Sequence, residues 1–248
     1  SDRLRRLNQT SIPLNGWRQL VAQLLCLIPV LFGFLLPTAI LCYWALFFAE
    51  FQSMWSLVAN SFFLAGSASL FVVMVALVIC YANRLYPSRW LSHATTFVGL
   101  GYALPGVVVA IGVLIPFGAI DHFVSSTLEP LGVGPSLWLS GTLVALVFAY
   151  LVRFLTVATG SITSGLSRVR PSVDQSGRLL GLSQFGVISK LHIPIIRGSV
   201  FTAVLVCFVD ILKELPATLI LRPFDFNTLA VKAYELAGDE RLVDASVP

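Results

Sequence analysis

The sequence predicts an all-α polytopic membrane protein, and three observations carry that expectation. Hydrophobic residues fill 57% of the 248 positions and charged residues only 11%, so most of the chain is unsuited to a water-facing surface. Apolar runs long enough to cross a bilayer as helices, roughly twenty residues each, recur with short polar gaps between them. Basic residues stand at the ends of those runs rather than in a stripe with interleaved aromatics. The net charge of +4 therefore does not read as a nucleic-acid surface, and the partner it implies is a lipid bilayer.

The first run extends from about Leu20 to Phe48 and follows a basic linker, residues 1–19, that carries Arg3, Arg5, Arg6 and Arg18. It is too long and too poorly flanked for a cleaved signal peptide. The second, about Leu57 to Ala82, ends at a turn with Arg84, Pro87 and Arg89, where proline cannot continue a helix. The third, about His93 to Gly118, contains Pro105 and Pro116 and predicts a kinked or broken helix, which lipid tolerates where neighbours satisfy the freed carbonyls. Residues 119–135 hold Asp121, His122 and Glu129 without Lys or Arg and read as an outer loop. A fourth run covers about Leu137 to Leu155, a polar interval continues to Arg197, and a fifth run covers about Val200 to Leu221.

Cytoplasmic loops carry the excess of Lys and Arg. The N-terminal linker, the turn at Arg84 and Arg89, and the interval with Arg168, Arg170, Arg178, Lys190 and Arg197 are thereby assigned to the cytoplasm, while the two other closed loops contain no Lys or Arg. The spanning domain is residues 20–221, and residues 222–248 form a periplasmic segment leading to an expected sixth helix. The start without Met fits a piece of a longer polypeptide. Cys26, Cys42, Cys80 and Cys207 lie in or beside apolar runs without disulfide or zinc spacing and read as small packing residues. His93, His122 and His192 are scattered at boundaries and predict no metal site.

A polar interval of this length between spans calls for a function. It contains Asp174-Gln175-Ser176-Gly177-Arg178-Leu179-Leu180-Gly181-Leu182, and further on Leu191-His192-Ile193-Pro194. A short helix lying across a membrane surface needs an apolar side, offered by Leu179, Leu180 and Leu182, and a glycine at its bend, offered by Gly181. Such a helix fits a groove on another protein. The pattern resembles the cytoplasmic loop of bacterial ABC-importer permeases, which reads Glu-Ala-Ala, three residues, Gly, nine residues, then an apolar pair flanking one residue, and Pro. Gly181 and Pro194 match at that spacing, and Gln175, Ser176 and Gly177 stand where the acid and two alanines are usual. The resemblance implies a type I (MetI-like) permease domain with five of six spans present and an ATPase-coupling loop over residues 165–198. It also implies a cytoplasmic ABC ATPase dimer as partner. Asp174 is a candidate to replace the acid lost at Gln175. The chain has no P-loop Gly-Lys-Ser or Gly-Lys-Thr, so it is not the ATPase; it binds no cofactor itself, and ATP and Mg belong to the partner.

The fifth run carries Asp210-Ile211-Leu212-Lys213-Glu214-Leu215-Pro216. A charge at the bilayer centre costs about 2.5–3.5 kcal/mol, so such residues face a bundle interior or a wet cavity. On a continuous helix Asp210, Lys213 and Glu214 share one face, Asp210 pairs with Lys213, and Glu214 needs a partner such as Arg153 or another subunit. Two roles suit them: bracing helix packing, or lining a translocation path.

From Asp210 onward, through Pro216-Ala217-Thr218-Leu219, Leu221-Arg222-Pro223-Phe224, Phe226-Asn227-Thr228-Leu229-Ala230 and Tyr234-Glu235-Leu236-Ala237, the chain resembles the second half of fused ferric-iron importer permeases. That resemblance implies a second permease half, in the same chain or another, and a periplasmic iron-binding protein as partners, with ferric iron as cargo. Ferric ion prefers carboxylate and phenolate oxygen, yet Asp225, Glu235, Asp239, Glu240 and Asp244 read as a solvated or docking face, not as ligands. Rival readings keep the architecture and change the cargo to thiamine, sulfate, molybdate or a polyamine. An ion-gradient transporter requires interrupted helices in corresponding positions of two inverted repeats, and the prolines of the third run have no obvious counterpart. A membrane enzyme requires a catalytic cluster, and no nucleophile arrangement is present.

Overall fold

The structure, a computed structural model, describes residues 15–48, 54–85, 88–129 and 137–248. Arg3, Arg5 and Arg6 of the linker, Pro87, and residues 130–136 of the expected outer loop lie outside the described residues. Among the described residues every regular element is helical, and five helices are long and apolar enough to cross a membrane. The chain divides into two compact units, residues 1–52 with 236–247, and residues 53–235 with Pro248.

In the first unit, α1 (Trp17–Val30), a π-turn (Leu31–Leu35) and α2 (Leu36–Phe47) form one apolar rod of 31 residues. The wide turn lies just before Pro37, at the point where proline lacks an N–H and its ring crowds the carbonyl of the preceding turn. Opening the helix there accommodates both defects without breaking the rod. A 3-10 turn (Asp244–Ser246), held by an Arg241–Asp244 ion pair of 2.7 Å, packs on α2.

The second unit is built on α3 (Trp55–Leu85), α7 (Leu143–Leu166) and α10 (Ile193–Leu212), which pack on one another as its core. Lipid offers no hydrophobic drive between helices, so association depends on close packing of small side chains. The contact faces supply them: Ala68 and Ala76 from α3, Ala149 and Ala158 from α7, and Ala203 and Cys207 from α10 are fully buried. Outward faces carry Phe63, Phe71, Val78 and Phe201, all exposed. A lipid-facing helix carries such residues at no cost.

The third span differs from the expectation. α4 (Arg89–Val98) and α5 (Leu100–Ala103) precede a break at Leu104-Pro105, and the spanning helix is α6 (Gly106–Leu128). Leu104 is extended, the conformation a following proline favours. Residues 119–128 are helical, not a loop, and Asp121 is buried there. Its carboxylate accepts the backbone N–H groups of Trp138, Leu139 and Ser140 at 3.0, 2.8 and 2.7 Å, as well as the Ser140 hydroxyl. The segment entering α7 is thus tied to α6 by a single side chain.

The fourth span continues to Leu166 rather than stopping near Leu155. Residues 156–166 look polar because they are rich in Ser and Thr, but hydroxyls bond back within the helix, as Thr159 does to the Thr156 carbonyl at 3.1 Å. The fifth begins early: α9 (Gln184–Val187), a second π-turn (Ile188–His192) and α10 run together over Gln184–Leu212, again with a proline, Pro194, just after the wide turn. Only residues 167–183 therefore lie between those two spans, and they include α8 (Pro171–Leu179). After Leu212 the chain leaves the helix and re-enters as α11 (Pro216–Leu221), followed by α12 (Leu229–Gly238). Cys80 and Cys207 are buried as packing residues, whereas Cys26 and Cys42 are exposed.

At Gly101 the backbone of α5 meets α7 so closely that an added Cβ falls 2.0 Å from the Val152 carbonyl oxygen. Gly101→Ala is expected to destabilise the folded protein by about 1–3 kcal/mol, the usual penalty for overpacking. Thermal unfolding in detergent checks this, with Gly112→Ala, a site with open space, expected to melt like the unaltered protein.

Candidate functional site

Two sets of residues stand out, one at the end of the bundle that carries α8 and one halfway along α7. α8 is built as a short autonomous helix. Proline at its first position gives up an N–H that has no partner in any helix, and Asp174 in the first turn and Arg178 in the last complement the helix dipole. Gly181 ends it with φ +77°, a conformation in which a side chain is strained. The Gly181 N–H donates to the Arg178 carbonyl and the Leu182 N–H to the Gly177 carbonyl, both at 3.0 Å, which closes the helix in a Schellman turn.

Gly177 lies against the next helix: a Cβ there would approach Val187 Cγ2 and Leu191 Cδ1 at 2.9 Å. A small residue at this place lets α8 seat on the α9–α10 segment. Gln175 and Ser176 are exposed, and Leu179 and Leu180 are 89% and 81% exposed. Leu182 departs from the expected apolar side, since it is half-buried beside Gly177, whereas Phe185, which the sequence reading did not single out, is 77% exposed. Pro194 is exposed in the first turn of α10. Asp174 is not open to a partner in the same way; its carboxylate is engaged within the chain by Arg84 at 2.9 Å.

Halfway along α7, two helix interruptions converge. Arg153 Nη1 donates to the Leu104 carbonyl at 3.2 Å, which covers the broken end of α5. Arg153 Nε also lies 3.2 Å from Glu214 Oε2, the carboxylate that follows the end of α10. Glu214 Oε1 accepts the Ala217 N–H at 3.4 Å, and its carbonyl accepts the Thr218 hydroxyl at 2.5 Å. Tyr150 of α7 reaches the same hydroxyl at 2.6 Å. A Cβ on Gly106 would fall 2.5 Å from Glu214 Oε1 and 2.8 Å from Arg153 Nη1, so glycine is what leaves room for the pair.

Glu214 thus finds Arg153 as its partner. α10 ends at Leu212 with Lys213 as its cap, so Glu214 lies beyond the helix that carries Asp210. Asp210 and Lys213 do pair, at 2.8 Å, but Lys213 is exposed rather than inside. Gly106, Tyr150 and Thr218 escaped the sequence reading. For Gly106 and Thr218 the signal was the repeated Leu-Pro followed by a small residue, Leu104-Pro105-Gly106 and Leu215-Pro216-Ala217, whereas Tyr150 lies near neither. Between α7 and α10 lies a cavity of about 620 Å³ whose lining includes Ser161, Ser164, Arg168, Ser199 and Thr202.

No family profile matches the chain. Among characterised proteins it is similar to the Fe(3+)-transport system permease protein FbpB 2 of Haemophilus influenzae, 27% identical over 222 residues, covering 85% of this chain and 40% of that protein. A second Haemophilus influenzae protein, named for ferric transport (FbpB 1), is 24% identical over 94% of this chain and 39% of its own length. The chain therefore spans about two fifths of both. A Salmonella typhimurium permease named for 2-aminoethylphosphonate transport (PhnV) is 24% identical over 77% of this chain and 67% of its own. Two crystal structures of a bacterial ABC transporter for alginate, one in complex with a pentasaccharide-bound periplasmic protein, each align over 93% of this chain with a TM-score of 0.72, at 16% and 17% identity. The chain has the fold of an ABC-importer permease.

Breaking a buried ion pair leaves an uncompensated charge, at about 3–5 kcal/mol. Partial exposure of Arg153 places the expected loss for Glu214→Ala near the low end of that range, read as a lower melting temperature in detergent. Removing both charges, as Arg153→Met with Glu214→Leu, is expected to restore most of the loss. Separately, Gly181→Val forces a β-branched residue into a left-handed turn. It is expected to destabilise the folded protein by about 1–3 kcal/mol, the usual cost of holding a non-glycine residue in a left-handed conformation, read as a lower melting temperature in detergent.

Proposed function

We propose that this chain is one permease unit of an ATP-driven importer that moves ferric iron inward across a bacterial cytoplasmic membrane. The observation that carries the proposal is α8: a helix between two spans of an ABC-importer permease fold, closed by a left-handed Gly181 and presenting Leu179 and Leu180 outward. Exposed leucines on a polar segment are costly in water unless a partner covers them, and a groove on an ATPase subunit is that partner. The end bearing Arg84, Arg168, Arg170, Arg178, Lys190 and Arg197 faces the cytoplasm, as the distribution of basic residues requires. The chain supplies the path and its hinges, and ATP with Mg is consumed by the ATPase dimer. A second permease half completes the path.

Ferric iron is the cargo in this proposal because the two relatives that align over 85% and 94% of this chain are named for it. A periplasmic binding protein delivers it. The Arg153–Glu214 pair braces the interrupted helices, while Asp210 and the exposed Lys213 are placed to meet cargo or the second half. A second reading, import of 2-aminoethylphosphonate, is favoured by the match to PhnV over two thirds of that protein's length.

The test is ATP-dependent uptake of radiolabelled ferric iron into vesicles holding complexes purified through this chain, with their binding protein, and with 2-aminoethylphosphonate, thiamine and sulfate as alternative cargoes. Iron uptake that requires ATP is the expected result. Uptake of another cargo replaces iron but keeps the class, and uptake driven by an ion gradient without ATP overturns the proposal.

A further inference from the structure

The carboxylate of Asp174 lies at the meeting point of α8 with three spans. One of its oxygens is 2.9 Å from Arg84 Nη2 at the end of α3. The same guanidinium donates to the carbonyls of Leu166 and Val169, at 2.9 and 3.1 Å, at and just beyond the end of α7. The other oxygen abuts Nε2 of His192, in the π-turn that leads into α10. His192 is fully buried, and its ring stacks on Tyr81 of α3 with centroids 5.7 Å apart and planes 10° from parallel. The cluster therefore reaches α3, α7 and α10, the three helices of the core.

We infer that Arg84, Asp174, His192 and Tyr81 act as a clamp that transmits displacement of α8 to the core helices. The inference rests on the coupling reading of α8 given above. The geometry favours transmission over mere attachment. α8 already has its own seat, Gly177 against Val187 and Leu191, and its own closing turn at Gly181. Those contacts are apolar or local and hold the helix in place. The clamp adds a carboxylate, partly withdrawn from water, that is paired with Arg84 on one side, where charge attraction is stronger than at a surface, and packed against His192 on the other. A planar guanidinium that bonds two carbonyls and a carboxylate at once has little freedom to yield. Pushing or pulling α8 then moves the ends of α3, α7 and α10 together. These are positioning residues, with no contact to cargo or nucleotide required.

The test compares Asp174→Asn and His192→Gln with the unaltered protein, in the reconstituted complex with its ATPase and binding protein. Three quantities are read: ATPase retained on purification, ATP hydrolysed, and radiolabelled ferric iron taken up. For both variants the ATPase is expected to stay bound in normal proportion while iron moved per ATP falls about fivefold or more, a usual size for coupling between sites. Normal uptake per ATP in either folded variant overturns the clamp. Should Asp174→Asn fail to fold, His192→Gln decides alone: a lowered ratio supports the clamp and an unchanged one overturns it. Leu179→Asp with Leu180→Asp tests the underlying reading separately. Loss of the ATPase from that variant supports α8 as its docking helix, and retention overturns the coupling reading and the clamp with it.

Discussion

A helix interrupted within a membrane frees amides and carbonyls that lipid cannot satisfy, so each interruption must be met by another group of the protein. In this chain two interruptions, after Ala103 and after Leu212, are met by one arginine near the middle of α7 and the glutamate it holds. The arrangement is mutual. Arg153 needs an anion to be tolerated at that depth, Glu214 needs a cation and a helix start, and the broken end of α5 needs a donor. Gly106 supplies the space, since any side chain there would occupy the position of the pair. The paths of α5, α6, α10 and α11 around α7 follow from this joint, with Tyr150 and Thr218 extending its hydrogen bonds.

The other end of the core is organised by the same rule under different conditions. The last carbonyl of α7, at Leu166, and that of Val169 just beyond it accept from Arg84, and Arg84 is in turn balanced by Asp174 from α8. A segment that a short reading of the chain would take for a surface loop is thereby fixed to the ends of the spans. Small residues set how closely it approaches: Gly177 beneath α8, and Gly165 opposite Ser199, where a Cβ would fall 2.6 Å from the serine side chain. Polar groups fix direction, and small residues fix distance.

The alginate transporters share this fold at 16–17% identity. Such divergence is expected where most positions need only be apolar and face lipid. The constrained positions are few, and they are the ones where backbone meets backbone, where a helix breaks, or where a charge is buried.

The amino-acid sequence by itself determined the helical class, the number of spans, the basic end, and the two features of α8 that are local in origin, a dipole-matched short helix and a left-handed glycine at its end. These depend on length, composition and near-neighbour sterics, which a linear reading contains. It also paired Asp210 with Lys213, because they are three residues apart. It misplaced the third span and shortened the fourth, because hydropathy cannot tell a proline that breaks a helix, Pro105, from one that a helix absorbs, Pro116, nor see hydroxyls bonding back along α7. Only the tertiary structure decided that Arg153 holds Glu214 across 61 positions, that Asp174 faces inward to Arg84, 90 positions away, and that His192 is a member of that cluster and not a stray boundary residue. Buried charges choose partners by proximity in space, and helices packed side by side bring together residues whose order carries no trace of the meeting.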